Sequence, residues 1–355
     1  MPILLENKIN YPLFMPDATR GFIKTLAVAD LIRSGIKGLV VNTYHLLLRP
    51  GTEIIKKAGG IHKFIDWPGF ILSDSGGYQI FSLIHKNPKL GKITDEKAIF
   101  KSPLDGSLIE MTPEKAIKIQ FDLGVDAMVC LDDCPPNDYN KKEIEKAMER
   151  TIKWAERCAR EYEKQLKKKK TIKGGKAARP LIFSVIQGGP YLDLRKKCIK
   201  GLMKVAPKTS WDGYGFGGRH IDGKGMLMEK VLKYTADLIP ENKCRFALGI
   251  GTPEDIVKCA RMGWQLFDCV IPTREARHGK LYFFKGSLNC KHLNIANAKF
   301  AKDFSPINPD SNLPELKNYT KSYLHHLFRF KEPLGQRLAS LNNLEFYAEL
   351  VKKLK

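Results

Sequence analysis

The chain has 355 residues, of which 43% are hydrophobic and 10% aromatic, a composition that is ordinary for a globular protein. No apolar run approaches the roughly 18 residues of a membrane span and no secretory signal is visible, so we expect a cytoplasmic protein with no membrane partner. The formal net charge of +22 at pH 7 favours a polyanionic partner such as nucleic acid, although a lysine-rich proteome would have the same effect.

Short apolar runs that end in a polar residue or a glycine recur along the chain, and each is typical of a buried β-strand. The runs are GLVVN at 38–42, FILSD at 70–74, AMVCLDD at 127–133, LIFSVIQGG at 181–189, YGFGG at 214–218, RFALGIG at 245–251 and FDCVIP at 267–272. Segments with helical spacing lie between them, at 113–124, 141–167, 192–204, 225–238 and 253–263. Two of these segments follow a threonine and open with Pro-Glu, which is typical of a helix start, at Thr112 and at Thr252.

This alternation of strand and helix predicts a parallel sheet. Seven or eight such units favour a closed (β/α)8 barrel, the TIM-barrel fold, over an open doubly wound sheet. We predict a catalytic barrel over residues 1–300 and a small C-terminal helical subdomain over residues 301–355, because the chain becomes polar near residue 300 and then returns to a helical pattern. The lysine-rich stretch at 168–180 predicts a basic loop.

Each predicted strand closes at a polar residue or a glycine. These residues are Asn42, Asp74, Asp132, Gln187, Gly217, Gly249 and Asp268. Barrel enzymes carry their chemistry at the carboxyl ends of the strands, so a closed barrel would place these residues around one mouth. A single Asp at a strand end is more often a helix cap or a turn former. Carboxylate or amide side chains at five such ends favour a functional site.

Six sequence motifs resemble those of the tRNA-guanine transglycosylases, and they occur in order from about Pro12 to Tyr347. They are NTYHLLLRPG at 42–51, SDSGGYQIFSL at 73–83, VIQGG at 185–189, LGIGTPEDI at 248–256, FDCVIPTREARHG at 267–279 and YLHHLF at 323–328. Several long motifs in register are far more specific than a lone glycine pattern. The resemblance implies a TIM barrel that exchanges guanine at the anticodon wobble position of a tRNA with a G-U-N anticodon. The incoming base is then a 7-deazaguanine, either queuine or its aminomethyl precursor.

Exchange of a base on an intact RNA needs two kinds of group. A nucleophile must hold the ribose C1′ while one base leaves and another enters. A second carboxyl must protonate the leaving base and deprotonate the incoming one, by the logic of retaining glycosidases. The resemblance assigns Asp268 as the nucleophile, which forms a covalent RNA–enzyme intermediate, and Asp74 as the general acid and base.

The resemblance also implies a pocket that reads an extruded guanine. In this pocket Asp132 accepts from N1–H and the exocyclic amine, while Gln187 and the backbone N–H of Gly218 hold O6. Glycines beside the base allow the backbone to approach it closely. The other implied substrate-binding residues are Tyr78 and Leu248 on the two faces of the base, and Ser75, Gly76 and Gly77 beside it.

Two segments are implied to bind RNA around the site. Arg274 and Arg277 follow the predicted nucleophile closely, and arginine suits bidentate contacts with phosphates. Surface solubility also explains such arginines. The implied RNA-binding residues are Gly249, Ile250, Gly251, Thr252, Pro253, Glu254 and Asp255, followed by Thr273, Arg274, Glu275, Ala276 and Arg277.

The family also carries a structural zinc that three cysteines and a histidine bind. The corresponding positions here hold Ser311, Leu313, Leu316 and Asn342, and the eight cysteines of the chain include no C-x-x-C pair. We therefore expect no zinc and no other cofactor, with Leu313 and Leu316 packed as a small apolar cluster. The resemblance implies a homodimer, but the loss of the zinc ligands leaves the oligomeric state open.

The segment 219–223 departs from the family and leaves the incoming base open. Gly223 replaces a glutamate that would contact the aminomethyl group of the precursor, which favours queuine. Ile221 favours the smaller precursor, because enzymes that take queuine tend to have a small residue at this position.

Three other functions compete with base exchange in tRNA. A non-catalytic tRNA-binding partner subunit is disfavoured because Asp268 and Asp74 are both intact. A paralog that modifies DNA is disfavoured by the intact TREAR and GIGTPED segments. A barrel glycosidase for small sugars explains neither the charge of +22 nor the pair Asp132 and Gln187.

Overall fold

The computed structural model describes residues 12–136, 139–173 and 179–355, and parallel strands form its centre. Thirteen strands occur in this described part. They are β1 (Leu13–Pro16), β2 (Gly38–Asn42), β3 (Phe70–Asp74), β4 (Gly91–Ile93), β5 (Ala98–Lys101), β6 (Leu108–Met111), β7 (Ala127–Val129), β8 (Leu181–Ile186), β9 (Gly213–Phe216), β10 (Cys244–Ala247), β11 (Leu266–Cys269), β12 (Lys280–Phe284) and β13 (Cys290–Asn294).

Eight of the described strands form one parallel sheet in the order β1-β11-β10-β9-β8-β7-β3-β2. The sheet closes where β1 meets β2. Asp17 and Val40 form a parallel bridge there, and the Ala18 N–H donates to the Val40 carbonyl over 2.8 Å. This architecture confirms the predicted (β/α)8 TIM barrel.

Strand β1 is not among the predicted strands. Pro12 and Pro16 flank its apolar residues, and proline cannot donate to a ladder, so the local pattern disfavours a strand. The strand forms because β11, from the far end of the barrel sequence, pairs with it, and this pairing sets Met15 opposite Asp268.

The prediction of a strand over 127–133 is too long, because β7 ends at Val129. The Cys130 N–H still donates to the Phe183 carbonyl of β8 over 2.9 Å, and the chain leaves the sheet after it. The Asp133 N–H donates to the Thr151 hydroxyl, 3.0 Å away on a neighbouring helix. Strands β8 to β11 also end one or more residues before the predicted limits, where the site residues begin.

Alternate residues of the strands point into the barrel and fill it with apolar side chains. This interior cluster consists of Leu13, Met15, Val40, Leu72, Ala127, Val129, Leu181, Phe183, Val185, Cys244, Phe246 and Leu266. Since side chains alternate between the two faces of a strand, the next inward position at the carboxyl end of a strand lies two residues on. These next positions include Asp17, Asn42, Asp74, Gln187, Leu248 and Asp268.

Helices surround the barrel and cover the outer faces of its strands. In the described part they are α1 (Val28–Arg33), α2 (Thr43–Leu48), α3 (Thr52–Lys57), α4 (Ile61–Ile65), α5 (Gly77–Lys86), α6 (Pro113–Leu123), α7 (Lys141–Lys173), α8 (Leu192–Lys204), α9 (Glu229–Leu238), α10 (Pro253–Arg261), α11 (Ile271–Arg277), α12 (Pro314–Asn318), α13 (Lys321–Arg329) and α14 (Pro333–Lys352). None of these helices is both long and apolar enough to cross a membrane.

The two predicted helix starts are confirmed. The Thr112 hydroxyl accepts from the Lys115 N–H at the start of α6, and the Thr252 hydroxyl accepts from the Asp255 N–H at the start of α10. Helix α7 continues to Lys173, beyond the predicted end at residue 167. The predicted basic loop therefore begins later than expected, and its residues 174–178 lie outside the described part.

A small antiparallel sheet of β4, β5 and β6 stands between α5 and α6 and is not among the predicted strands. Its strands have only three or four residues each, too few for a clear period-two pattern. The sheet is fixed to helix α7, because the Trp154 indole N–H donates to the Asp95 carbonyl between β4 and β5.

A second apolar core joins the hairpin of β12 and β13 to helices α12, α13 and α14. Its members include Ile295 and Leu324. Helix α14 also reaches the main core, through Leu344 and Tyr347. The boundary at residue 300 stays a prediction, and side chains from both sides of it share this core.

The four positions that correspond to the zinc ligands do not fit a metal. Leu313 and Leu316 are 3% and 0% exposed and pack in the second core, as predicted, and an aliphatic side chain has no lone pair for a metal. The Ser311 hydroxyl donates to the Glu345 carboxylate, which also accepts from the Asn312 N–H over 2.7 Å. A buried carboxylate and leucine packing therefore connect the loop before α12 to α14.

This connection predicts that Glu345→Ala lowers the free energy of unfolding by about 2 kcal/mol, because it leaves the buried Ser311 hydroxyl and the Asn312 N–H without their acceptor. Denaturant unfolding at pH 7 measures the change, and Glu345→Gln, which keeps an acceptor oxygen, should lose less. We expect a strong zinc chelator to leave the wild-type melting temperature unchanged. A drop of several degrees with the chelator would contradict a metal-free subdomain.

Candidate active site

The carboxyl ends of the barrel strands bring the predicted catalytic and base-reading side chains to one mouth. Asp74 is the last residue of β3, and Asp268 lies near the end of β11. Asp132 follows β7 by three residues, and Gln187 directly follows β8. Burial is the main cause that raises the pKa of Asp132 and of Asp268, and the negative charge of nearby Asp74 raises both further.

Asp74 is held by donors from two sides. The Asn42 amide donates to one carboxylate oxygen over 2.9 Å and to the Gln79 side chain over 2.9 Å. Burial raises the pKa of Asp74 to about 6, although hydrogen bonds from the Ser75 and Gly76 N–H groups and from Asn42 act in the opposite direction. A carboxyl that titrates near neutral pH suits proton transfer in both directions.

Asp268 keeps one carboxylate oxygen engaged and one open. Its Oδ1 accepts from the Gly249 N–H over 2.8 Å. Burial raises the pKa of Asp268 to about 7, the Gly249 hydrogen bond lowers it, and the charge of Asp74 raises it. One oxygen is thus fixed, and the other accepts no hydrogen bond from another of the described residues, which gives this carboxylate a defined direction for attack.

Asp132 and Gln187 form a buried pair. The Gln187 Nε2 donates to the Asp132 Oδ2 over 2.6 Å, and both residues are buried. Burial raises the pKa of Asp132 to about 7, against the effect of the Gln187 hydrogen bond. The second hydrogen of the Gln187 amide is directed to the Cys134 thiol, and a carbonyl such as O6 of guanine is a stronger acceptor that can take its place.

Glycines bring the backbone close to this pair. A Cβ on Gly217 would lie 2.5 Å from the Gln187 Nε2, and a Cβ on Gly77 would lie 3.0 Å from the Asp132 carbonyl. Gly218 has a φ of +83° and Gly76 a φ of +81°, a backbone region that side chains disfavour. The pocket therefore requires glycine where its strands turn.

The two residues predicted to stack on the base differ in exposure. Tyr78 lies in the first turn of α5 with 56% of its surface exposed. Leu248 is half-buried above the interior cluster, where a Cβ on Gly215 would lie 2.6 Å from its Cδ1. Ser75 is fully buried, and its hydroxyl accepts from the Gly77 N–H.

The predicted RNA-binding segments divide into exposed and buried residues. Arg274, Gly249 and Glu254 are exposed, and Arg277 is half-buried with its guanidinium donating to the Thr273 carbonyl. Half-buried residues are Thr252 and Asp255 at the start of α10 and Glu275, which pairs with Lys280. The buried members are Ile250, Gly251, Pro253, Thr273 and Ala276. The side chains of Arg274, Glu254 and Arg277 can therefore contact RNA directly, and Gly249 can do so through its backbone.

Cys134 and Arg195 belong to the same pocket, although neither is a predicted site residue. The Cys134 thiol accepts hydrogen bonds from the Gly218 N–H and the Gln187 side chain, and burial raises its pKa to about 12. Arg195 is fully buried and donates to the carbonyls of Ile186 and Gly189, which flank Gln187. The contacts of Cys134 join segments that are distant along the chain, whereas Arg195, in the first turn of α8, contacts the end of β8 and the loop that follows it. Neither set of contacts has a strand or helix pattern that would mark it in the sequence.

Asp17, which directly follows β1, is a third residue at the site that is not among the predicted site residues. Burial raises its pKa well above the usual range, and the charges of Asp268 and Asp74 raise it further. It lines a cleft of about 280 Å³ together with His45 and Arg277. The signal was present in the sequence, since Asp17 follows Leu13 and Met15 at the same period of two.

A larger cavity, of about 750 Å³, lies at the opposite end of the barrel. Pro12, Lys37 and Phe70 are among the residues that line it, and they come from the starts of strands. Since barrel enzymes react at the carboxyl ends of their strands, the site is at the smaller, carboxylate-lined mouth.

Comparison with known proteins gives one consistent family. The model of the family described as queuine tRNA-ribosyltransferase matches residues 3–355. A queuine tRNA-ribosyltransferase of Halothermothrix orenii is 39% identical over 347 residues, which cover 98% of this chain and 86% of that protein. Proteins of the same name from Francisella tularensis subsp. novicida and Caldanaerobacter subterraneus subsp. tengcongensis are also 39% identical over 98% of this chain, and over 88% and 86% of their own lengths. The similarity spans the barrel and the C-terminal subdomain.

The contacts of Asn42 predict a pH effect. Asn42→Ala removes a hydrogen bond that lowers the pKa of Asp74, so we expect the pH profile of base exchange to move toward higher pH and kcat to fall about tenfold. Asn42 also caps α2 by accepting from the His45 N–H. Asn42→Asp keeps an acceptor for that cap but sets a negative charge beside Asp74, so it should move the profile further while losing less stability. Equal profiles for both variants and wild type would contradict this role.

Burial of Asp132 predicts a cost in stability that depends on pH. Its pKa is 3.8 normally and about 7 here, so the folded state binds the proton more tightly and loses stability as the pH rises from about 4 through 7. Asp132→Asn should therefore raise the free energy of unfolding by up to about 4 kcal/mol at pH 8, from about three pKa units, and change it little at pH 4. Denaturant titrations at the two pH values test this, with the exposed Asp310→Asn as a control that should change neither value. An equal gain at both pH values would show that burial of the charge is not the cause.

Proposed function

The chain belongs to the queuine tRNA-ribosyltransferase family and is a tRNA-guanine transglycosylase, a pentosyltransferase that acts on tRNA and a 7-deazaguanine base, and we propose that Asp268 and Asp74 carry its reaction. The observation that supports this assignment is the meeting of two half-buried carboxyls at the barrel mouth, one on β11 and one on β3. Each has a pKa raised toward neutrality, to about 7 and about 6.

In the first step the open oxygen of Asp268 attacks the ribose C1′. The bond between C1′ and the guanine N9 breaks, its electron pair goes to the base, and the protonated Asp74 supplies a proton to the leaving guanine. The Gly249 N–H fixes the other Asp268 oxygen and so orients the attack. The product is an ester between Asp268 and the RNA, which keeps the strand on the enzyme while guanine leaves.

In the second step the incoming 7-deazaguanine gives its N9 proton to the Asp74 carboxylate. Its nitrogen then forms a bond to C1′, and the ester bond to Asp268 breaks with the electron pair returning to the carboxylate. Two displacements at C1′ restore the starting configuration, as in retaining glycosidases. Asp74 ends the cycle protonated, ready for the next guanine.

Asp132 and Gln187 suit the recognition of the base. Guanine and its 7-deaza analogues present N1–H and an amino group as donors and O6 as an acceptor, which matches a carboxylate beside an amide whose second hydrogen has only the weak Cys134 thiol as acceptor. The Gly218 N–H, which points to the Cys134 sulfur in the free enzyme, is the second donor for O6.

The RNA partner follows from charge and position. Arg274 is exposed on α11, which begins two residues after β11 ends, and Arg277 lies one turn further at the edge of the cleft beside Asp17. Together with the net charge of +22, these arginines suit the phosphates that flank the exchanged nucleotide. We propose a tRNA with a G-U-N anticodon as the substrate.

Exchange of radiolabelled guanine into unmodified G-U-N tRNA tests this function. We expect wild type to incorporate label and to form an SDS-stable RNA adduct, and we expect Asp268→Asn to do neither, with a loss of at least about a thousandfold. Asp310→Asn, which changes an exposed carboxyl outside the barrel, should retain wild-type activity. Chasing the label with queuine and with the aminomethyl precursor identifies the incoming base.

Two results would argue against the assignment. Exchange by Asp268→Asn at the wild-type rate would remove Asp268 from the nucleophile's role. Failure of well-folded wild-type protein to incorporate any label would favour a non-catalytic tRNA-binding subunit.

A further inference from the structure

Asp17 occupies an inward position of the barrel mouth. Leu13 and Met15 of β1 point into the barrel, so Asp17, two residues further on, points to the same side. Because Met15 pairs with Asp268 on the neighbouring strand β11, Asp17 lies beside the nucleophile and two residues, or about 6 to 7 Å, further along the strand direction toward the open mouth. The bridge to Val40 fixes its backbone.

The Asp17 carboxyl has no protein partner within the described residues. No hydrogen bond to it and no ion pair with it occur there, although its surroundings are crowded enough to raise its pKa well above the usual range by burial. The titratable groups that face it are Asp268 and Cys269 from β11, Asp74 from β3, and His45, Arg20, Lys24 and Arg277 around the adjoining cleft. A poorly solvated carboxyl without a hydrogen-bond partner, beside two other carboxyls, lowers the stability of the protein unless a substrate group forms a hydrogen bond with it.

The proposed reaction determines which part of the substrate comes close to Asp17. The attacking oxygen of Asp268 must lie about 3 to 3.5 Å from C1′. The base-reading groups lie on the side of β7, β8 and β9, whereas Asp17 is on β1, on the other side of β11 in the strand order. The base therefore extends away from Asp17 and the sugar lies beside it. The 2′-hydroxyl is on the carbon next to C1′, so it is the sugar hydroxyl nearest to the reacting bond.

We propose that the Asp17 carboxyl forms a hydrogen bond with the 2′-hydroxyl of the ribose whose base is exchanged, and that this bond makes the enzyme select RNA over DNA. The inference rests on the proposed function and adds a selectivity residue to the same site. A 2′-hydroxyl is both donor and acceptor, so it can pair with a carboxyl in either protonation state. A deoxynucleotide leaves Asp17 unpaired at the moment of reaction.

Two hairpin substrates test the proposal, an all-RNA anticodon stem-loop and the same hairpin with 2′-deoxyguanosine only at the exchanged position. The quantity measured is the ratio of kcat/KM for the ribo and the deoxy substrate. Because both enzyme forms use the same two substrates, the different intrinsic reactivity of ribose and deoxyribose cancels when a variant is compared with wild type.

Asp17→Val should reduce the ribo-to-deoxy ratio by about tenfold, the change expected for one lost hydrogen bond, with the loss falling on the ribo substrate. Asp17→Asn keeps a hydrogen-bonding group of the same size and should retain most of the ratio. Asp310→Val removes a carboxyl of the same charge from an exposed site outside the barrel and should leave the ratio unchanged, which controls for net charge in RNA binding. A melting curve for each variant establishes that it is folded.

Two outcomes would overturn the inference. If Asp17→Val slows both substrates by the same factor, Asp17 acts on the charges of Asp268 and Asp74 and not on the 2′-hydroxyl. If the ratio and the rates are all unchanged, Asp17 has no role in the reaction. The absence of exchange by wild type on the all-RNA hairpin and on full tRNA is a different result, since it contradicts the proposed function itself.

Discussion

The two-residue alternation of inward side chains is the constraint on which this molecule depends. Eight short parallel strands share one axis, so every second side chain must fit inside the barrel. Apolar residues occupy the lower layers, and the same alternation delivers carboxyl and amide groups to the last layer, where the barrel opens. A register change of one residue in β3 or β11 would turn Asp74 or Asp268 outward and leave the mouth without its acids.

This arrangement produces the electrostatics of the site. The carboxyls at the mouth stand over an apolar interior, so water solvates them poorly, and their charges repel one another. Backbone N–H groups of Ser75, Gly76 and Gly249 and the amides of Asn42 and Gln187 offset part of this effect. The result is a set of acids that titrate near neutral pH, where proton exchange with a purine is most effective. The same burial makes the site a source of instability in the folded protein.

The C-terminal subdomain reaches the site through helix α14. The Asn343 amide on this helix donates to the carbonyls of Pro272 in α11 and of Lys280 in β12, over 2.9 Å in both cases. The Tyr347 hydroxyl donates to the Gly251 carbonyl, in the loop that follows β10. Both proposed RNA-binding segments thus rest on α14, and this helix is itself joined to the loop before α12 by Glu345 and leucine packing. Hydrogen bonds and apolar contacts therefore connect the loop before α12 to α14, the two segments that a zinc ion is expected to connect from the family resemblance.

The sequence by itself determined the barrel class, seven of the eight barrel strands and both threonine-capped helix starts. It also determined that Asp74, Asp132, Gln187 and Asp268 lie at strand ends. Periodicity and caps are local signals, which a strand or helix carries wherever it packs. Only the tertiary structure decided the strand β1, whose prolines disfavour it locally and whose ladder exists because β11 lies beside it. The same holds for Cys134 and Asp17, which join the site through contacts between segments far apart in the chain. Local pattern specifies which residues face inward, whereas closure of the barrel decides which of them meet.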